Sequence, residues 1–178
     1  MKPRHLLIIL SLSLFALPSR SLAECKEVKP EIKMDKEGNQ VKHGLVVKCY
    51  PNGFMKRKGE WKNGKEHGKE TEWYKNGEKR YEGIFKDGKE HGKVTLWYEN
   101  GKKQVEGTWK DSKRHGKWTK WYENGQKQSE GTYKDGKHNG KVTLWYENGK
   151  KQVEGTWKDG VKAGEWTKWD EDGNKTSF

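Results

Sequence analysis

The histidines, cysteines and tryptophans are the residues of this chain that could do chemistry, and their spacing decides which kind. His43, His67, His91 and His115 recur at 24-residue steps, each just before a glycine, and His138 falls one residue out of that step. A metal site needs ligands that converge on one ion at about 2 Å. Histidines spread at a constant step along the chain do not converge, and no HxH, HExxH or CxxC pattern occurs. The expectation is therefore no metal and no cofactor. No serine stands in a GxSxG setting, and no phosphate-binding GxxxxGK[ST] is present. Glu106, Glu130 and Glu154 recur once per copy. Catalytic acids and bases need unequal environments, so repeated carboxylates argue for structure or multivalent contact. The reading is of a chain that binds and does not catalyse.

A second periodic set is better suited to binding. Trp73, Trp97, Trp121, Trp145 and Trp169 stand 24 residues apart, flanked by Thr71, Thr95, Thr119, Thr143 and Thr167. Tryptophans interleaved with lysine can stack sugars or bases. They can equally form a second core in a curved sheet, or a dimer interface. The five tryptophans are the candidate binding residues.

The elements that must carry these residues are short strands. VTLWY over 94–98 is β-branched and aromatic, and KQVEGTW over 103–109 is its return strand. Asn100-Gly101 between them is a hairpin signal and is read as a two-residue loop with positive φ at both positions. Positions summing to 201 then face each other: Leu96 with Val105, Val94 with Gly107, Gly92 with Trp109. A four-residue loop over 111–114 is expected next, which sets Trp118 opposite Gly107 and Gly116 opposite Trp109. Each glycine would sit beside a large ring, as in aromatic cover of sheet glycines. The Trp column falls on the opposite face, with polar cross-strand neighbours such as Gln104 and Glu106.

The unit repeats along most of the chain. Gly44, Gly68, Gly92, Gly116, Gly140 and Gly164 keep the 24-residue step, as do Gly53 to Gly173 and Gly59 to Gly155. Trp61, Phe85, Trp109, Tyr133 and Trp157 follow it too. The stretch 93–111 recurs unchanged at 141–159, which points to duplication of a two-repeat block. Self-similarity at such a period is the signature of an array.

Composition agrees. Only 29% of residues are hydrophobic and 36% are charged, values that alone would suggest disorder. Ten Trp, seven Tyr and 22 Gly argue instead for a thin local core. The start reads as an export signal over residues 1–23: basic Lys2 and Arg4, the apolar run Leu6–Leu17, then Ser21-Leu22-Ala23. A lipid-modified Cys25 is the alternative, with Glu24 a poor fit to it. Residues 24–42 read as a cap and 43–178 as the array. Without residues 1–23 the chain keeps 35 basic against 26 acidic side chains, an excess that favours anionic partners. An oxidising compartment permits Cys25 and Cys49 to pair. They stand one repeat apart, about 10 Å in a regular ladder. That exceeds the Cα separation a disulfide spans, so the pairing requires the cap to leave the regular path.

The recurring pattern YENGxxxxEGxWKDGKxHGKWTxW resembles the MORN-repeat variant, also found in proteins of the YwqK-family antitoxin type. The resemblance covers about residues 43–173. It implies an all-β fold, an elongated, twisted antiparallel sheet of tandem 24-residue hairpins, and implies no catalytic residues. Departures lie at the ends, where Cys49 replaces the column Trp and Asp170 the column Tyr; Ser112 replaces a turn glycine and Ala163 the repeat His. The expected function is an exported binding or scaffold protein. It would contact a protein or an anionic or sugar-rich polymer of the cell envelope, with nucleic acid disfavoured by export. An antitoxin or immunity protein that binds a toxin is the alternative, and a structural surface spacer a second.

Overall fold

The computed structural model describes residues 24–177; the proposed export signal over residues 1–23 lies outside them. Its strands are β1 (Glu31–Met34), β2 (Gln40–Cys49), β3 (Met55–Lys62), β4 (Lys65–Trp73), β5 (Lys79–Lys86), β6 (Lys89–Glu90), β7 (Gly92–Trp97), β8 (Lys103–Lys110), β9 (Lys113–Trp121), β10 (Lys127–Lys134), β11 (Lys137–Trp145), β12 (Lys151–Lys158), β13 (Val161–Trp169) and β14 (Lys175–Thr176). They form one antiparallel sheet in which chain order is spatial order, with the two-residue β6 pairing only with β5. No helix occurs among the described residues. The fold is the all-β hairpin array read from the sequence.

The two kinds of turn differ from that reading. Lys110 pairs with Lys113, leaving a two-residue loop in which Asp111 and Ser112 both have positive φ, 49° and 61°. Positive φ at both positions is the type I′ geometry that matches strand twist. Asn63-Gly64, Asp87-Gly88, Asp135-Gly136 and Asp159-Gly160 repeat it. The Asn100-Gly101 turn is instead a three-residue loop. The Tyr98 amide donates to the Lys102 carbonyl, the Gly101 amide to the Tyr98 carbonyl, and only Gly101 is left-handed, at φ 79°. The Asn100 side chain accepts from the Lys102 amide and donates to the Glu123 carbonyl of the next hairpin. An asparagine that spans both its own loop and the neighbouring one has no need of positive φ.

The corrected turns shift the pairing locally. Leu96–Val105, Val94–Gly107 and Gly92–Trp109 pair as expected. Beyond the tight turn Trp109 faces Arg114, not Gly116, and the register recovers at Glu106–Thr119 through a bulge. Gly116, at φ 68°, provides the conformation that the bulge needs. Trp118 still lies across Gly107: a Cβ there would collide with the indole.

This first face holds the Gly–aromatic core. Val94 (2% exposed), Trp118 and Val142 are its most buried apolar residues. Rings follow one another in a file through Trp109, Trp118, Tyr133, His138 and Trp157 to Trp166, with centroids 4.1 to 6.2 Å apart, most of them meeting edge to face. Arg114 lies over both the Trp118 and Tyr133 rings. Toward the N-terminus the same columns turn polar. Glu70 takes the Val94 position and is buried there. Arg57 meets its Oε2 at 2.6 Å and also bonds Glu66. Burial raises the Glu70 carboxyl pKa and the Arg57 contacts oppose that shift.

The cap closes the N-terminal edge. β1 pairs antiparallel with β2, and Val28 bridges Val47. The segment that carries Cys25 is therefore one strand spacing, not two, from β2. This brings Cys25 across from Cys49, with Cα atoms 5.8 Å apart and the two sulfurs bonded. In a chain-entropy account, a cross-link over this separation is worth about 3 kcal/mol.

Candidate functional site

The second face is built from side chains that alternate with the core residues. Along β7 these are Lys93, Thr95 and Trp97, and on β8 Lys103 and Glu106. Thr71, Thr95, Thr119 and Thr143 are buried at the floor, while the five column tryptophans, Trp73 to Trp169, are half-buried. The backbone of each is fixed from the preceding repeat by a tyrosine hydroxyl that donates to its carbonyl: Tyr50 to Trp73, Tyr74 to Trp97, Tyr98 to Trp121, Tyr122 to Trp145 and Tyr146 to Trp169, at 2.7 to 2.9 Å.

The cross-strand neighbour of each Trp is a lysine. Trp97 pairs with Lys103, not Gln104, because a register shift follows Leu96. A second lysine reaches four of the five rings from the preceding hairpin, Trp73 being the exception because Met55 holds the equivalent position. The Nζ of Lys79 lies 5.6 Å from the Trp97 ring centre, Lys103 5.9 Å from Trp121, Lys127 5.6 Å from Trp145 and Lys151 5.7 Å from Trp169. Contacts of this kind are worth about 0.5–1 kcal/mol at exposed sites.

Between these lysines stands one carboxylate per copy. Glu82 is held by Lys79 and Lys69 at 2.9 and 3.1 Å. Glu106 meets Lys103 and Lys93, Glu130 meets Lys127 and Lys117, and Glu154 meets Lys151 and Lys141. The Lys79, Lys103 and Lys151 bonds hold the Glu82, Glu106 and Glu154 pKa values below the ordinary carboxylate range. At Glu130 burial acts upward, but Lys127 and Lys117 prevail. Each carboxylate is therefore ionised at neutral pH, and two lysines against one glutamate leave one net positive charge per copy.

Four shallow grooves lie along this face, of 440, 390, 370 and 350 Å³, with Trp73, Trp97, Trp121 and Trp145 in their respective linings. Trp169 closes the row beside Lys175. In the first groove Leu45 and Lys58 occupy the positions that carry Lys69 and Glu82 one copy later. The chemistry on offer is ring stacking, ionic attraction and hydrogen bonding, repeated at about two strand spacings, roughly 10 Å.

The histidines lie elsewhere. His67 and His91 approach Asp87 and Asp111 of the next turn at 3.6 and 3.4 Å, and His138 bonds the Tyr133 hydroxyl on the core face. Among the described residues no group of three or more His, Cys, Asp or Glu could hold a metal ion. The Lys–Glu–Lys clamps were not read from the sequence, although Lys93, Lys103 and Glu106 recur at the same step as Trp97 and that periodicity would have found them.

A single-layer sheet of stacked hairpins with one ring and one clamp per copy defines a tandem-repeat protein. The chain belongs to the MORN-repeat family. The MORN repeat variant matches residues 66–87, 90–111, 114–135 and 139–159, and the MORN repeat matches residues 154–174. Comparison with curated proteins gives no match.

Proposed function

We propose that this protein is an exported, non-enzymatic binding scaffold that engages an extended partner of the cell envelope along its Trp–Lys face. The observation that carries this reading is the repetition of one groove, with the same ring, lysines, glutamate and threonine each time. A multivalent surface gains affinity for a long partner because each further contact forms at high effective concentration. Export is supported by the apolar run Leu6–Leu17 and its basic start.

The test is the double variant Trp97→Ala with Trp121→Ala, compared with wild type for capture of material from the cell's own envelope fraction and for thermal melting. Loss of capture with little change in melting supports the reading. A collapse of melting makes the column a structural core, and unchanged capture places the binding surface elsewhere. Selective capture of one folded toxin would favour the antitoxin role instead.

A further inference from the structure

The clamps allow the partner's class to be narrowed, an inference that rests on the binding reading above. We infer that the Trp–Lys face binds a linear β-linked polysaccharide that carries one carboxylate per disaccharide. Three features of the face lead there. The first is charge density: one net positive charge recurs with each hairpin, about every 10 Å. An extended β-linked disaccharide has a length of the same order, so one carboxylate per disaccharide would meet one excess lysine per subsite.

The second is the glutamate. Glu82, Glu106, Glu130 and Glu154 stand ionised in the middle of their subsites, bonded to lysines on both sides. A densely charged polyanion would be repelled by them. A glycan makes use of them, because its hydroxyls donate to carboxylate oxygens while its own carboxylate meets the lysines. This arrangement disfavours nucleic acid, which lysines and rings alone would have suited.

The third is the ring itself. The apolar face of a pyranose stacks on an indole, and these indoles are half-buried at the surface and fixed through their backbones by the Tyr bonds. The lysine above each ring is on a flexible stem. A sugar that arrives at the indole displaces the ammonium toward the ring edge, where it meets the glycan carboxylate. Trp97, Trp121, Trp145 and Trp169 each have such a lysine; the first three form equivalent subsites, whereas beside Trp169 Glu165 stands at the position that carries Lys93, Lys117 and Lys141 in the others.

Calorimetric titration of the purified protein with hyaluronan oligosaccharides of two to ten sugars tests the assignment. Carboxyl-reduced hyaluronan, poly-L-glutamate and an oligo-dT strand serve as controls. The expected result is affinity that climbs with each added disaccharide, on the order of 10²-fold from the shortest to the longest. It should weaken with salt and fall at least tenfold on carboxyl reduction. Trp97→Ala with Trp121→Ala should flatten the length dependence. Lys103→Gln with Lys127→Gln, which leaves the rings in place, should remove the preference for the acidic over the reduced glycan. Equal binding of the reduced glycan or of poly-L-glutamate overturns the inference, as does tighter Trp-dependent binding of the DNA strand or no glycan binding at all. If the glycans fail while capture from the envelope stays Trp-dependent, the polysaccharide class falls and the binding face stands. If capture is also indifferent to the tryptophans, both fall.

Discussion

The Tyr98 hydroxyl donates a 2.7 Å hydrogen bond to the Trp121 carbonyl, 23 residues further along. The bond joins the end of one hairpin's first strand to the same place in the next, so it couples nearest neighbours in the array. Removing the hydroxyl strands a half-buried carbonyl. Tyr98→Phe is expected to cost about 1 kcal/mol, within the usual range for a lost hydrogen bond. Denaturant unfolding followed by circular dichroism measures it; an unchanged midpoint would mean that water replaces the hydroxyl without loss.

The glycines of the core face are not equivalent. At Gly107 an added Cβ collides with the Trp118 indole, whereas at Gly131 its nearest neighbour is Val142 Cγ2 at 3.4 Å, an ordinary contact. Gly107→Ala should destabilise by about 1–3 kcal/mol, as overpacking does. Gly131→Ala should be neutral or slightly stabilising, because alanine loses less backbone freedom on folding. Paired urea midpoints decide; equal losses at both sites would remove the steric account.

Ser112 holds a left-handed conformation, φ 61°, where four sister turns have glycine. Left-handed backbone costs a non-glycine residue roughly 1–2 kcal/mol, and the entropy glycine loses on folding returns about 0.4–1 kcal/mol of that. Ser112→Gly should therefore stabilise by up to about 1 kcal/mol, seen as a higher melting temperature. A lower one would show that the serine hydroxyl contributes more than the strain.

Acid should destabilise the protein in two steps. Burial, and then Arg114, hold the His138 pKa below its ordinary value of 6.5. The folded state thus favours the neutral ring. That contribution is complete above the unfolded value and is lost as pH falls through it toward the folded one. The clamped carboxylates of Glu82, Glu106, Glu130 and Glu154 are also depressed. Their stabilisation is present above the unfolded carboxylate value and is lost as pH falls through the folded one. Their lysines are largely exposed, so each clamp contributes only tenths of a kcal/mol. Melting temperature followed from pH 8 to 2.5 should fall below neutrality and again below the ordinary glutamate value of 4.5, and His138→Gln should flatten the upper part of the curve alone. A stability that rises on acidification would contradict both signs.

The repeat, the strands and the Gly–aromatic face were legible because each is written many times at one step. The turns were misassigned for a local reason. Asn100-Gly101 and Asp135-Gly136 carry the same kind of dipeptide signal, yet one is a three-residue loop and the other a two-residue one. The difference lies in what the asparagine side chain bonds across the array, and only the stacked neighbours disclose it. The Trp column was legible as a stripe. Its lysine partners were not, because the bulge that puts Lys103 and not Gln104 beside Trp97 depends on that same loop. The polar patch of Arg57, Glu66 and Glu70 breaks the repeat, so periodicity could not announce it.

Nearly all contacts between hairpins run one step along the chain: Tyr98 and Asn100 reach forward to Trp121 and Glu123, while the Ser112 amide reaches back to the Glu90 carbonyl. A hairpin spliced into the middle would find both of its interfaces already specified, and so would the units it separates. Copy number is thus a quantity that inheritance can adjust in whole steps without redesigning a single junction. The verbatim recurrence of residues 93–111 at 141–159 has the form such an adjustment leaves behind. Length, in this architecture, behaves as a setting on a ruler.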